Sequence, residues 1–301
     1  MAYFLGIDGG GTKTRCLLGD ENSVLSAGTS SSCKVQRVGE ACAQDALRAA
    51  IHEACVQGGV SPQQITRTCA GITGAARAEI AKTMHNLVAS IVGGEIEIAA
   101  DVEIAFEDAF GTGPGVLVIA GTGSIAYGKS AAGETARAGG WGHAISDEGS
   151  GYWIGVEAVR AALHAHGRAE NPELLNALSN ALGARNFEDF IIQLNTSPAP
   201  DFASLFPAVL GAARDSGDAT AKQVLEHAGH ELAKLAESVI HRLSGNDKAS
   251  VAIHGGVMTN AEEVRDSFVK HLESLCPQAG FTQKLVDPAR GALERARRDF
   301  G

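Results

Sequence analysis

The hydrophobic and polar positions of the first hundred residues alternate between the periods of strands and of helices. Five short apolar runs, closed by glycine or polar residues, have the length of strands: 4–8, 13–19, 24–29, 65–69 and 95–99. Helical spacing of apolar residues predicts a helix at 40–57, which stops at Gly58 and Gly59, and a second helix near 75–92. The resulting order, βββαβαβ, is typical of the α/β class.

The pattern of the opening recurs after a glycine-rich break at 111–115. Residues 116–133, VLVIAGTGSIAYGKSAAG, again give an apolar strand, a glycine turn with threonine and serine, a second apolar strand and a polar turn. Two hairpins of one design indicate a duplicated fold. We therefore predict two domains, 1–112 and 113–301.

The second domain is expected to carry a helix-rich insertion at about 150–243. The elements predicted after the insertion are a strand at 250–254, a helix at 261–275, a strand at 281–286 and a basic helix at about 289–299. We expect this last helix to pack back on the first domain.

The first glycine turn lies in residues 4–20, FLGIDGGGTKTRCLLGD. Its spacing excludes a Walker A loop, because Thr12 stands where that loop requires lysine. It also excludes a dinucleotide fingerprint, because Thr14 replaces the third glycine and a strand follows. Two interpretations remain: an ordinary hairpin turn, or a turn that binds phosphate through its amides with Thr12, Lys13 and Thr14 as further donors. If each half carries such a turn, the two can face one another across a cleft and hold a polyphosphate.

The composition excludes several classes of protein. The chain has 301 residues, of which 45% are hydrophobic, and its net charge of -10 without a basic stripe argues against nucleic acid as a partner. The start, MAYFLGID, lacks the basic residues of a signal peptide and reaches Asp8 too early. No stretch approaches the roughly 20 apolar residues of a membrane span. We therefore expect a soluble, cytoplasmic protein.

Metal-binding and nucleophile motifs are absent from the sequence. The cysteines form no C-x-x-C pair and are expected to be reduced core residues: Cys16, Cys33, Cys42, Cys55, Cys69 and Cys276. The histidines form no H-E-x-x-H, and three of them are expected to be surface or packing residues of one long helix: His227, His230 and His241. No G-x-S-x-G elbow is present, so a hydrolase of that type has no support.

Four segments, in order along the chain, resemble those of a known superfamily. IDGGGTKT at 7–14, IAGTGS at 119–124 and HGGVMTN at 254–260 are similar to the two phosphate segments and the adenosine segment of actin, heat-shock chaperone ATPases and sugar kinases. AGGWGHAISDEGSGYWIG at 138–155 resembles the signature of N-acetylglucosamine kinases and their BadF/BadG-type ATPase relatives. The resemblance implies two ribonuclease-H-like domains with an interdomain cleft, ATP with Mg²⁺, an amino-sugar substrate and a homodimer.

The resemblance also implies roles in phosphoryl transfer for residues of the matching segments. The phosphate clamps would be Gly10, Gly11, Thr12, Lys13, Gly121, Thr122, Gly123 and Ser124, and Gly255 and Gly256 would leave room for adenine. Asp8 would hold Mg²⁺ through water, or else cap the hairpin turn. Asp101 would be the catalytic base that accepts the proton of the sugar hydroxyl, and it could also serve as a helix N-cap.

The same resemblance places the sugar against Thr122, Gly140, Trp141 and Asp147. The alternatives are that Asp147 caps the helix that starts near residue 150 and that Trp141 belongs to the core. Trp153 is expected to be a packing residue. The chain departs from its relatives at 28–35, GTSSSCKV, where they commonly have proline and then asparagine near the substituents of the sugar. This difference leaves the identity of the amino-sugar open.

Three functions are compatible with these residues. The first is an ATP-dependent kinase acting on the 6-hydroxyl of N-acetylglucosamine, or on glucosamine or N-acetylmuramate. The second is an ATPase activator with an iron-sulfur cluster, for which the sequence offers no suitable pair of cysteines. The third is a sugar sensor without turnover, against which the presence of both Asp8 and Asp101 argues.

Overall fold

The computed structural model describes residues 2–170, 172–244, 248–282 and 284–298. Within these ranges the chain forms two compact units. Unit 1 is built from residues 2–113 and 284–298, and unit 2 from residues 114–282. The end of the chain therefore belongs to the same unit as its beginning.

The described part of the chain alternates between strands and helices. The strands are β1 (Tyr3–Gly9), β2 (Lys13–Gly19), β3 (Val24–Ser31), β4 (Ile65–Ile72), β5 (Glu95–Ala100), β6 (Gly115–Ala120), β7 (Ser124–Lys129), β8 (Thr135–Gly139), β9 (Ser250–His254) and β10 (Gly280–Phe281). The helices are α1 (Val35–Val38), α2 (Glu40–Gly58), α3 (Ala78–Ala89), α4 (Asp101–Phe110), α5 (Gly151–Gly167), α6 (Glu173–Ala181), α7 (Phe187–Leu194), α8 (Phe206–Arg214), α9 (Ala219–Ser244), α10 (Gly256–Asn260), α11 (Glu262–Leu275) and α12 (Pro288–Arg297). Two short 3-10 helices cover Pro62–Gln64 and Phe202–Leu205.

The two units contain sheets of the same topology. The sheet of unit 1 has the order β3-β2-β1-β4-β5, and that of unit 2 has the equivalent order β8-β7-β6-β9-β10. In each sheet the first three strands of the sequence are antiparallel neighbours and the later two run parallel to the first. The predicted α/β fold with a duplicated hairpin is confirmed.

The central strand of unit 1 is buried on both faces. Leu5 and Ile7 belong to a core cluster with residues of α2 and α3, whereas Phe4 clusters with Leu293 of α12. Alternate residues of a strand point to opposite faces, so helices cover the two sides of the sheet. Gly6 permits the closest approach, because a Cβ added there would lie 2.3 Å from the backbone nitrogen of Leu293.

Polar contacts also hold α12 in unit 1. The buried carboxylate of Asp108 on α4 accepts hydrogen bonds from Nε of Arg290 at 2.5 Å and from the backbone amide of Asp287 at 2.9 Å. Asp287 in turn forms an ion pair of 2.8 Å with Arg15 on β2. The last helix is thus tied both to α4 and to the strand that follows the first glycine turn.

Unit 2 has one large core cluster between its sheet and the helices. Val116 and Val118 of β6 pack in it with Ile154 of α5, Leu232 of α9 and Phe268 of α11. Helix α9, the longest described, contacts α5, α11 and three strands. The core therefore joins the helical block at 150–243 to the sheet.

Two details of the sequence analysis need correction. The polar turn that ends the segment 116–133 is followed by an additional edge strand, β8, which the sequence analysis did not predict. The strand expected at 281–286 is short, since β10 ends at Phe281 and residue 283 lies outside the described ranges. Lys284 instead donates a hydrogen bond to the carbonyl of Asp108, so this residue belongs to unit 1.

One cysteine differs from expectation, whereas the three histidines of the long helix are surface or packing residues as predicted. All six cysteines are free thiols and five are buried, but Cys42 lies on the exposed face of α2 and is not a core residue. The side chains of His227 and His241 are about half exposed, and His230 stacks on His271 at a ring distance of 4.3 Å. No helix within the described ranges is long and apolar enough to cross a membrane.

Candidate active site

The three consecutive glycines of the first turn differ in how much space a Cβ atom would have. A Cβ added to Gly9 would lie 2.5 Å from Cδ1 of Ile72 and 2.7 Å from Sγ of Cys33, so the core of unit 1 requires glycine there. A Cβ on Gly10 would meet its nearest neighbour, the carbonyl oxygen of Lys13, at 3.3 Å, and a Cβ on Gly11 would meet its nearest described atom at 4.0 Å. Neither Gly10 nor Gly11 has a positive φ. A Cβ on Gly10 would thus crowd the Lys13 carbonyl, whereas the fold does not require glycine at position 11, which leaves space for a ligand.

The carbonyl groups of this turn are tied to side chains of the following segment. Oγ of Ser32 donates to the Gly10 carbonyl at 3.0 Å, and Nη1 of Arg37 donates to the Gly11 carbonyl at 2.9 Å. A trans peptide directs its carbonyl and its amide to opposite sides. The amides of Gly11 and Thr12 consequently point away from Ser32 and Arg37, in an arrangement suited to an anion.

Two carboxylates lie at the same edge of the sheet of unit 1. Asp8 is at the end of β1, and Asp101 begins α4 directly after β5. Burial raises the pKa of Asp8 to about 6, and the negative charge of Asp101 contributes, while Lys13 opposes the shift. The two carboxylates thus carry negative charge that the neighbouring cations do not fully compensate.

The carboxylate of Asp101 is held at both oxygens. Oδ2 accepts a hydrogen bond of 2.7 Å from the Thr73 hydroxyl, and Oδ1 accepts one of 2.9 Å from the amide of Val102. Asp101 is not the N-cap of α4, since that position belongs to Ala100, whose amide donates to Oε2 of Glu103 at 3.1 Å. The N-cap alternative from the sequence is therefore wrong, and the carboxylate has a fixed orientation.

The second glycine turn, in unit 2, repeats the geometry of the first. The carbonyls of Gly121 and Thr122 accept hydrogen bonds from the amides of Gly151 at 2.8 Å and Tyr152 at 3.3 Å, at the start of α5. By the same peptide geometry, the amides of Thr122 and Gly123 point away from α5. A Cβ on Gly121 would have no other described heavy atom within 4 Å, so space is open here too.

Ser124 and Asp147 lie beneath this turn. The buried hydroxyl of Ser124 donates to the carbonyl of Glu148 at 2.7 Å, so it is directed into the fold. Asp147 is 7% exposed and has a φ of 71°, and its carboxylate accepts hydrogen bonds from the amides of Gly142 and Ser124. Burial raises the pKa of Asp147, while these two amides oppose the shift. The cap of α5 is Ser150, so the alternative of Asp147 as the cap is excluded.

Trp141 stands out from the surface of unit 2. Its side chain is 63% exposed, which excludes the core alternative, and Cζ of Arg137 lies 3.9 Å from the centroid of its ring. Nη2 of Arg137 donates to the carbonyl of Gly140 at 2.9 Å. The guanidinium therefore fixes the indole from one side and leaves most of the ring accessible. Trp153, by contrast, is partly buried against the core, as expected.

The segment HGGVMTN at 254–260 lies beside the second glycine turn. Strands β6 and β9 are parallel, with Ile119 paired to His254, so Gly121 and Gly255 follow strand ends at one edge of the sheet. Gly255 has a φ of 101°, and a Cβ there would lie 2.4 Å from the carbonyl oxygen of Ala120. A Cβ on Gly256 would meet its nearest described neighbour, Nδ2 of Asn260, only at 3.9 Å. Gly255 thus serves packing, whereas Gly256 leaves open space.

Sequence patterns did not reveal several polar residues of these sites. Thr73, Ser32, Arg37 and Arg137 belong to no motif, and each bonds a candidate site residue from another element or from an adjoining loop. The only available signal was a single polar residue next to a strand or turn. Such a signal is too common to identify a site.

The serines of the segment 28–35 support the fold of unit 1. Oγ of Ser30 donates to the carbonyl of Ala46 at 2.6 Å, and that of Ser32 donates to Gly10 as described above. Ser31 is the exposed member of the three serines. Two of the three hydroxyls are therefore directed to backbone carbonyls of unit 1.

Neither unit contains a preformed cluster of metal ligands in its described residues. No group of three or more histidine, cysteine, aspartate or glutamate side chains is arranged to hold a metal ion there. A metal bound at Asp8 would accordingly need water or a ligand's oxygens to complete its coordination.

Comparison with solved structures identifies proteins of the same fold. A proposed N-acetylglucosamine kinase from Chromobacterium violaceum is 27% identical, with a TM-score of 0.79 and 98% of each chain covered. A glucokinase of the ROK family from Streptomyces griseus, solved with glucose and AMPPNP, has a TM-score of 0.65 at 16% identity, with 99% of this chain and 100% of that chain covered. At that identity the second similarity concerns the fold alone.

Comparison of the sequence gives relatives that extend over nearly the whole chain. The N-acetylmuramic acid/N-acetylglucosamine kinase of Clostridium acetobutylicum is 34% identical, and the match covers 99% of both chains. The N-acetyl-D-glucosamine kinase of Dictyostelium discoideum is 29% identical, with 96% of both chains covered. The sequence model of the BadF/BadG/BcrA/BcrD ATPase family matches residues 5–296. The chain belongs to this family.

Proposed function

We propose that the protein transfers the γ-phosphoryl group of ATP to the 6-hydroxyl of N-acetylglucosamine. The observation that carries the proposal is the pair of carboxylates in unit 1, Asp8 and Asp101, at the edge of the sheet that also bears the first glycine turn. Phosphoryl transfer needs a base for the hydroxyl, a carboxylate near the metal and donors for the phosphate oxygens. The kinase names of the relatives at 34% and 29% identity support the same reaction.

Asp101 acts as the base in this proposal. The sugar oxygen forms a bond to the γ-phosphorus, the bond from that phosphorus to the β–γ bridging oxygen breaks, and ADP leaves. The hydroxyl proton passes to the carboxylate of Asp101, which the Thr73 and Val102 bonds hold in one orientation. The proton acceptor is thus fixed before the substrate binds.

The two glycine turns bind phosphate oxygens in this proposal. In unit 1 the open amides are those of Gly11 and Thr12, with Gly10 and Lys13 beside them. In unit 2 the open amides are those of Thr122 and Gly123, with Gly121 and Ser124 beside them, and Gly255 and Gly256 receive the adenine. The support is that both turns have their carbonyls tied to groups of their own unit and their amides directed to the other side.

Asp8 fits a Mg²⁺ ion held through water. Mg²⁺ usually binds one or two carboxylates, several waters and the phosphates of the substrate, so a larger protein cluster is not required. The raised pKa of Asp8 has burial and the charge of Asp101 as its main causes, and a cation would relieve both. When bound, the ion would neutralise charge on the phosphates during transfer.

Thr122, Gly140, Trp141 and Asp147 are proposed to bind the sugar. The accessible ring of Trp141 can contact the apolar face of a hexose. N-acetylmuramate and glucosamine are the alternative substrates, and the double name of the relative from Clostridium acetobutylicum favours testing the former first. As the family resemblance implies, the enzyme is further proposed to work as a cytoplasmic homodimer.

The proposal is tested by ADP release from the purified protein with MgATP. The sugars compared are N-acetylglucosamine, N-acetylmuramate, glucosamine, N-acetylmannosamine and glucose, with a control that lacks sugar. We expect N-acetylglucosamine to stimulate release far above the control. Equal release with and without every sugar would refute the kinase proposal and favour an ATPase or a sensor.

A further inference from the structure

Thr73 connects three parts of unit 1 that meet at the carboxylate pair. It follows directly after β4. Its amide donates to the carbonyl of Gly9 at 3.2 Å, where β1 enters the first glycine turn. Its hydroxyl donates to Oδ2 of Asp101 at 2.7 Å, at the start of α4. One residue thus joins the backbone of the phosphate turn to the side chain of the base.

The hydroxyl of Thr73 determines the plane of the Asp101 carboxylate. The amide of Val102 binds Oδ1 at 2.9 Å, but a single bond to one oxygen leaves the carboxylate able to rotate. The second bond, to Oδ2, removes that freedom. A carboxylate oxygen can accept more than one hydrogen bond, so both oxygens retain capacity for the proton of a substrate hydroxyl.

We infer that Thr73 is a positioning residue, which holds the base Asp101 in register with the first glycine turn. The inference rests on the proposed kinase function. A base misplaced by a small distance costs much of the rate, whereas binding of the nucleotide depends on other contacts. Loss of the Thr73 hydroxyl therefore lowers kcat and leaves the KM for ATP nearly unchanged.

The test compares three variants by ADP release with N-acetylglucosamine. Thr73→Val keeps the shape of the side chain and removes the donor, and Thr73→Ser keeps the donor. Thr68→Val is the matched control, because Thr68 lies on β4, the strand that Thr73 follows, with a buried hydroxyl that has no hydrogen-bond partner among the described residues. The unfolding temperature and the affinity for AMPPNP are measured for each protein.

We expect kcat of Thr73→Val to fall about tenfold or more, with the KM for ATP changed less than about twofold. Thr73→Ser should recover most of the wild-type kcat, and Thr68→Val should match the wild type. The inference is overturned if Thr73→Val turns over at the wild-type rate, or if serine fails to rescue. A parallel loss of kcat in Thr68→Val would also overturn it, by assigning the effect to the strand.

Sugar-dependent ADP release by the wild-type protein distinguishes failure of this inference from failure of the proposed function. If wild type shows sugar-dependent ADP release and Thr73→Val is unaffected, only the inference fails. If wild type itself shows no sugar-dependent release, the proposed function fails and the inference falls with it.

Discussion

The carboxylate of Asp147 packs directly against Gly123 in unit 2. A Cβ added to Gly123 would lie 2.7 Å from Oδ2 of Asp147, closer than van der Waals contact allows. The loop that contains Asp147 and the second glycine turn therefore pack tightly against each other. Substitution at either residue is expected to displace the other.

This contact predicts different effects for the two glycines of the turn. Gly123→Ala should destabilise the protein by about 1–3 kcal/mol through overpacking and should impair turnover. Gly121→Ala should leave the unfolding temperature unchanged or slightly higher, because its Cβ would have open space, yet raise the KM for ATP by occupying that space. Thermal unfolding and steady-state kinetics of both variants check this. Equal destabilisation by the two substitutions would contradict the packing described.

The raised pKa of Asp8 predicts a stability that falls with pH. Its pKa rises from the ordinary value of 3.8 to about 6 in the folded protein, so the folded state binds the proton more tightly. The resulting stabilisation is complete below about pH 4 and is lost as pH rises through about 6. Without nucleotide and Mg²⁺, Asp8→Asn should therefore be more stable than wild type at pH 7.5, by up to about 3 kcal/mol in the free energy of unfolding, and should unfold at a higher temperature. This difference should vanish near pH 4.

Asp20 provides a control for this experiment, because its pKa is shifted in the opposite direction from that of Asp8. Hydrogen bonds from the amides of Asn22 and Ser23 lower the pKa of Asp20, so its contribution to stability is present at neutral pH and lost as pH falls. Asp20→Asn should thus lower the unfolding temperature at pH 7.5. A gain from Asp8→Asn that is equally large at pH 4 and pH 7.5 would count against the buried carboxylate pair.

The exposure of Trp141 predicts that its removal affects the sugar and not the fold. Trp141→Ala should raise the KM for the sugar about two- to tenfold, since stacking of an aromatic ring contributes roughly 0.5–1.5 kcal/mol. The KM for ATP and the unfolding temperature should stay near wild type, because the side chain is 63% exposed. Kinetics with varied sugar and calorimetry provide the measurement.

Trp153 is the matched control for Trp141. Its ring is partly buried in the core of unit 2 and meets His227 edge-on at a centroid distance of 5.1 Å. Trp153→Ala should therefore lower the unfolding temperature, with the KM for the sugar less affected. If the two tryptophan variants lose stability to the same extent, the assignment of Trp141 to a binding surface is wrong.

Local sequence patterns predicted the strands, the hairpins and the α/β class, because period and turn chemistry lie within short segments. The edge strand β8 was missed since TARAG has little apolar character. The strand expected at 281–286 ends at Phe281, and the Lys284 side chain and the Asp287 amide instead donate hydrogen bonds to Asp108. Those contacts join residues that are far apart in sequence, and no local pattern contains them.

The candidate site also has features that the sequence revealed and others that only the structure shows. The resemblance found the glycine turns and Asp8 because they stand in compact motifs, and it found Asp101 by its position just after the strand at 95–99. The sequence could not show that Gly9 and Gly255 serve packing, whereas Gly11 and Gly256 leave open space. It also could not show Thr73, whose partner Asp101 lies on another element. Both distinctions depend on tertiary contacts.

The central claim is that Asp101 is the base in phosphorylation of the 6-hydroxyl of N-acetylglucosamine. The most direct measurement is phosphorus NMR of the products formed with MgATP by wild type and by Asp101→Asn, with AMPPNP binding measured alongside. We predict that wild type forms ADP and a sugar phosphate whose phosphorus signal is split by the two protons of C6 into a triplet. Asp101→Asn should form none while it still binds AMPPNP. A doublet, the absence of sugar phosphate with wild type, or full activity of Asp101→Asn would contradict the account.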